Sequence, residues 1–175
     1  MEEQLILVTE ADEQIGTLGK MEVHENGILH RAFSVFIFNS RKQLLLQKRA
    51  SSKYHSAGLW TNTCCSHPRV NETVESAARR RLKEEMGIHT PLTHRFSFIY
   101  RAELENGLIE HELDHVLFGN FDGKAQADPQ EVADWKWIGI EELDEALKTR
   151  QNDYTAWLLD CWPRVKAELR SDSDR

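Results

Sequence analysis

Residues Thr61 to Pro68 read TNTCCSHP, with two adjacent cysteines next to a histidine, His67. A thiol this close to an imidazole points to catalysis or to metal ligation. Structural zinc sites take a closed set of four ligands, usually from cysteine pairs two to four apart, and Cys64-Cys65 fits that pattern poorly. A second group lies in IEHELDHVLF, where Glu110 and Glu112 are two residues apart and leave the same face of an expected strand. A third is Arg81 and Glu85, four apart on an expected helix, where they edge its inward stripe. His24 and His30 form a loosely spaced pair in VHENGILHRAF. Each group has an ordinary explanation too: a wet strand face bearing Glu110, Glu112 and Asp114, an exposed helical ion pair, loop histidines.

The elements that must position these groups are legible from periodicity. Three hairpins are expected: residues 4–9 with 15–20, 32–38 with 43–49, and 96–102 with 110–121. ADWKWIGI (133–140) adds a strand. Apolar residues at Val74, Ala77, Ala78, Leu82 and Met86 predict a helix over 74–86, with Asn71 or Thr73 as cap and Gly87 as stop. Further amphipathic helices are expected over 140–148 and 154–169. Antiparallel strands with packed helices imply an α+β or mixed α/β sandwich. Residues 1–170 read as one domain and 171–175 as a frayed tail.

Bulk properties exclude several classes. A net charge of -7 and pI near 5.6 argue against broad nucleic-acid binding, while leaving room for a local basic pocket. The longest apolar run, Ala32–Phe38, is too short to span a bilayer, and no signal peptide is read at the N-terminus. Three cysteines make a poor disulfide framework, so a reducing cytoplasm is the expected compartment. No membrane partner is expected, and a monomer is the favoured oligomeric state.

The stretch Ser66–Ile88 resembles the Nudix signature G-x5-E-x7-R-E-U-x-E-E-x-G-U, where U is aliphatic. Glu72, Arg80, Leu82, Glu84, Glu85, Gly87 and Ile88 fall at the required offsets. Ser66 replaces the leading glycine and Arg81 the glutamate of R-E. Nudix hydrolases commonly use that glutamate to hold Mg²⁺ over a phosphoanhydride, and a cation there repels the metal. The resemblance therefore implies a Nudix-like fold whose diphosphate survives as a handle. Arg81 would neutralise phosphate oxygens while Glu85 holds a Mg²⁺ bridging them. Lys20, Arg49 and Lys53 are candidate further clamps.

TNTCCSHP, VHENGILHRAFSVFIFN and IEHELDHVLF together resemble the metal-dependent, flavin-free class of isopentenyl-diphosphate isomerases, from about Leu5 to Trp157. By position, the resemblance makes His24, His30, His67, Glu110 and Glu112 ligands of one divalent metal, a mixed set suited to Mn²⁺, Mg²⁺ or Zn²⁺. It makes Cys65 catalytic, with its backbone carbonyl on the Mg²⁺ that accompanies the diphosphate, and leaves Cys64 a small buried neighbour. Glu112 would exchange a proton at one carbon of the substrate and Cys65 at the other. Tyr100 would donate to Glu112, and Trp157 would turn its ring face to a tertiary carbocation. His55, His89, His94, His111 and His115 match no ligand position, and Cys161 carries no signal. The implied partner is a small diphosphate and no flavin is required. Two other classes compete: a Nudix hydrolase of a nucleoside or other diphosphate, and a zinc-stabilised binding module without catalysis.

Overall fold

A computed structural model describes residues 2–174. The described residues form nine strands and four α-helices: β1 Gln4–Val8, β2 Gln14–Gly19, α1 Lys20–Asn26, β3 His30–Phe38, β4 Gln43–Arg49, β5 Trp60–Thr61, β6 Cys64–Ser66, α2 Val74–Met86, β7 Leu92–Glu103, β8 Ile109–Asn120, β9 Val132–Gly139, α3 Ile140–Thr149 and α4 Ala156–Ser173.

Strand β3 is the hub. It runs parallel to β8 from the His30–Glu112 pair to the Phe38–Asn120 pair, and antiparallel to β6 from Phe33–Ser66 to Val35–Cys64. Its side chains alternate between two cores, which explains why AFSVFIF is apolar almost throughout. Phe33, Val35 and Ile37 pack with Ala77, Ala78, Leu82 and Met86 of α2. Phe36 and Phe38 join Leu143 of α3 and Trp157, Leu158 and Val165 of α4. Ser34 falls on the second face, and it is the polar interruption in that run.

The expected α2 is found at its predicted bounds. Thr73 Oγ1 accepts from the Ser76 N–H at 3.1 Å, and Gly87 closes the helix at φ 65°. A Cβ on Gly87 would also stand 2.7 Å from the Gln126 carbonyl, so glycine is required twice over.

The first and third hairpins pair as expected. The second does not. β3 and β4 meet only at Phe38–Leu44, because β4 takes β9 as its long partner and β3 takes β8. The turn NSRK joins two strands that separate at once, so adjacency in sequence misidentifies the partners. Helix α4 starts two residues later than expected and runs on through Ser173, where Arg95 bridges Glu168 and Asp172. Helix α1 was not foreseen: seven residues are too few to show a periodicity. Its role is to carry Lys20 and His24 one turn apart to the mouth of the site.

Candidate active site

Four elements deliver five titratable side chains to one buried locus. His24 comes from α1, His30 opens β3, His67 follows β6, and Glu110 and Glu112 project from β8. His24 and His30 are fully buried, and Glu110 and Glu112 nearly so. Ring nitrogens of His24, His30 and His67 lie within 4.8 Å of one another. Glu112 Oε2 stands 3.6 Å from His67 Nε2.

The tautomers follow from the backbone. The His24 Nδ1–H donates to the Lys20 carbonyl at 2.7 Å, and the His30 Nδ1–H to the Ile28 carbonyl at 2.9 Å. Each ring therefore turns the lone pair of Nε2 inward, unpartnered in His30 and 3.4 Å from the Tyr54 hydroxyl in His24, the arrangement usual for imidazoles that bind metals. His30 Nε2, His67 Nε2 and Glu110 Oε2 are buried without a hydrogen-bond partner. Three orphaned acceptors in one place are costly unless something positive joins them. Burial drives the histidines toward the neutral form, with His67 down to about 3. Burial likewise pushes Glu110 and Glu112 well above the usual carboxylate range. Neutral imidazoles beside carboxylates that resist ionising together are the donor set a divalent ion fits.

Next to this locus lies the thiol. Ser34 and Cys65 are register partners across β3 and β6. The Trp157 indole N–H donates to Cys65 Sγ at 3.0 Å, and the Cys65 S–H donates to Asn62 Oδ1 at 3.0 Å. Asn62 cannot turn its amide round. Its Nδ2 donates to the Val35 carbonyl at 3.0 Å and the Cys64 carbonyl at 3.2 Å, so the oxygen must face the sulfur. Ser34 Oγ, 3.5 Å from the sulfur, donates to Asp114 Oδ2 at 2.7 Å. Burial, with Asp114 next, holds the Cys65 thiol far up and therefore neutral.

Cationic side chains ring the outer end. Arg81 pairs with Glu84 at 2.7 Å, with Glu85 at 2.8 Å and with Glu131 at 3.4 Å, while Lys53 also pairs with Glu131. Lys20 meets Glu3 at 3.3 Å and lies over the Tyr54 ring. Arg49 donates to the His55 carbonyl at 3.2 Å and covers the Trp157 ring at 5.2 Å. The Nε groups of Arg49 and Arg81 are buried without acceptors. Glu85 is fixed by Arg81 and by Gln47 Nε2 at 3.2 Å. Lys20, Arg49, Lys53, Arg81 and Glu85, with Cys65, Glu112 and Trp157, line one cavity of about 770 Å³.

A model of the NUDIX domain matches residues 28–158. Isopentenyl-diphosphate Delta-isomerase 1 of Aromatoleum aromaticum is 55% identical over 175 residues, covering 100% of this chain and 99% of its own. Isopentenyl-diphosphate Delta-isomerase 2 of the same organism is 54% identical over 165 residues, 94% of this chain and 87% of that one. The chain belongs to the isopentenyl-diphosphate Delta-isomerase family, on a Nudix fold. A solved structure, DR0079 from Deinococcus radiodurans, shares the fold at TM-score 0.76 and 20% identity, covering 93% of this chain and 98% of that one. Among the described residues, no helix is long and apolar enough to cross a membrane.

Most residues expected from the family resemblance converge on the cavity. Tyr100 is the exception in detail. It stands opposite Glu112 in the β7–β8 register, yet its hydroxyl is buried without a hydrogen bond. Its ring packs in the core under α4 while Glu112 leans toward His67, so the expected bond is not formed. Trp157 meets the thiol with its N–H and has Arg49 over its ring. Glu72, a matched position of the Nudix signature, is taken up by Arg80 at 2.8 and 2.9 Å. Cys64 is fully buried and Cys161 is a core residue, which leaves no cysteine set for a zinc module.

Sequence reasoning missed Asn62, Ser34, Asp114 and His55. Asn62 and Ser34 sit inside TNTCCSHP and AFSVFIF, and Asp114 extends the every-second-residue series from Glu110 and Glu112. That series was readable as a buried line once metal ligation was suspected. His55, expected to be structural or exposed, is buried against His24 and Glu110. Nothing in SSKYHSAG signals that position.

Proposed function

We propose that this cavity interconverts isopentenyl diphosphate and dimethylallyl diphosphate. The carrying observation is that a caged neutral thiol and a buried carboxylate of the histidine cluster open into one cavity that is also lined by Arg49 and Arg81, whose Nε–H groups have no acceptor. The names of the relatives support the same substrate.

The diphosphate is the handle. Arg81, Arg49, Lys53 and Lys20 would bind its oxygens, with Arg81 and Lys53 exchanging carboxylate partners for phosphate. Glu85 and the Cys65 backbone carbonyl would hold the Mg²⁺ that accompanies it. His24, His30, His67, Glu110 and Glu112 would hold a second divalent ion, for which an imidazole-rich set suits Mn²⁺ or Zn²⁺ better than Mg²⁺. That ion, when bound, supplies positive charge that keeps Glu110 and Glu112 ionised and oriented.

The chain's own groups move the protons. One of Cys65 and Glu112 gives a proton to the terminal alkene carbon, and the other removes one from the carbon nearer the diphosphate. The double bond shifts and no net redox change occurs. Asn62 and Trp157 hold the sulfur in place for its transfer. The Trp157 ring lines the cavity, where a desolvated contact with a tertiary carbocation would contribute about 2 kcal/mol.

Arg81 argues against hydrolysis. It lies over Glu84, Glu85 and Glu131 and neutralises the acids that a hydrolytic metal cluster would need. The test is incubation of the purified protein and Mg²⁺ with isopentenyl diphosphate. The allylic isomer should form, and release of phosphate in its place would contradict the reading.

A further inference from the structure

One imidazole outside the family's ligand positions faces the metal locus. His55 is 5% exposed, and its Nε2 lies 3.8 Å from Glu110 Oε1. Ligand atoms of His24, His55 and Glu110 all fall within 4.8 Å of one another, as do those of His24, His30 and His67. Donors held about 2.0–2.2 Å from one ion stand roughly 3 to 4.4 Å apart, so either trio, at up to 4.8 Å, would need to draw in only slightly to close on an ion.

The two trios share His24. Its Nδ1–H is committed to the Lys20 carbonyl at 2.7 Å, so coordination falls to Nε2, where the Tyr54 hydroxyl stands 3.4 Å away. One lone pair serves one ion. The trios therefore describe a single centre approached from two sides, with His30 and His67 on one and His55 with Glu110 on the other.

The ring of His55 is also set for ligation. Its Nδ1 is 3.1 Å from Ser56 Oγ, and the Ser56 backbone N–H is held by the Glu105 carboxylate, which turns Nε2 inward. Glu110 Oε2, buried and unpartnered, points to a missing positive partner on this side. We infer that His55 is a further ligand of the centre through Nε2, giving it four imidazoles and two carboxylates. This rests on the proposal that the centre holds a divalent ion. The consequence is selectivity: a fourth imidazole moves the set toward Mn²⁺, Co²⁺ or Zn²⁺ and away from Mg²⁺.

A purely packing role is the competing explanation, since His55 also meets the Tyr54 ring at 4.5 Å and the Trp157 ring at 6.0 Å. Packing would not alter the spectrum of a bound ion. The experiment titrates metal-stripped full-length protein with Co²⁺, following the visible d–d absorption and the heat of binding. His55→Ala should bind Co²⁺ about tenfold or more weakly, with a shifted d–d band, while metal-free thermal unfolding stays near wild type. His30→Ala serves as the reference for the underlying centre and should weaken binding as well. Wild-type affinity and spectrum in His55→Ala, with His30→Ala weakened, would overturn the role of His55 alone. Wild-type behaviour in both would overturn the centre itself. Should His55→Ala misfold, His55→Gln carries the same comparison, because a neutral amide replaces the imidazole at similar length.

Discussion

The two ends of the cavity are built on opposite principles. At the thiol end, the sulfur is held from two sides: Asn62 is fixed by two carbonyls, Trp157 and Asn62 grip the sulfur, and Ser34 is tied to one oxygen of Asp114, whose other oxygen is buried without a partner. At the phosphate end, cations share their acids, with Arg81 and Lys53 both drawing on Glu131, and the buried Nε of Arg81 has no acceptor. A proton transfer needs a donor already aimed, and rearrangement there would add to the barrier. An anion-binding end needs charges that are present but not saturated, so that an arriving ligand exchanges partners instead of breaking a finished network. Rigidity belongs where the bonds change, and competition belongs where the ligand docks.

The largest effects should come from the proton carriers. Cys65→Ser and Glu112→Gln should each lower kcat about a thousandfold or more in a steady-state assay with folding intact by circular dichroism. Near-normal turnover in either would remove that group from the chemistry.

Next comes the cage. Asn62→Ala should cost about 1–3 kcal/mol of stability, because the Thr61 hydroxyl and the Trp157 N–H would lose their shared acceptor. It should also lower kcat far more than it raises KM. Equal changes in the two would show that the thiol end is no more preorganised than the other.

Arg81→Glu tests the opposite end. It sets a new carboxylate among Glu84, Glu85 and Glu131 and should raise KM about tenfold or more, with a smaller fall in kcat. Unchanged KM would take Arg81 out of the phosphate clamp. Cys64→Ala should do least. The side chain is fully buried in the α2-side core, so loss of its sulfur should cost about 1 kcal/mol in thermal unfolding and leave turnover nearly unchanged.

How much of this was legible in sequence depended on the range of the interaction involved. Helix α2 was readable to its ends because its stripe, its Thr73 cap and its Gly87 stop are local signals. The β7–β8 hairpin was readable for the same reason. The pairing of β3 with β8 was not, since a parallel partner some eighty residues away leaves no local trace. In the site, the family motifs placed the metal and thiol residues together, but they carried no information on which neighbours hold them. Asn62 orients the thiol through backbone carbonyls of β3 and β6, which is a tertiary fact. His55 reaches Glu110 only because the loop after β4 folds back over β8. Tyr100 was placed correctly by register, but its hydroxyl orientation depends on packing under α4.

The proton relay itself can be tested most directly by running the reaction in D₂O and reading the product by NMR. Wild-type protein with Mg²⁺ should convert isopentenyl diphosphate to dimethylallyl diphosphate carrying deuterium in a methyl group, and Cys65→Ser should give none. An allylic product free of solvent deuterium, or inorganic phosphate in its place, would contradict protonation by a solvent-exchangeable group of this cavity.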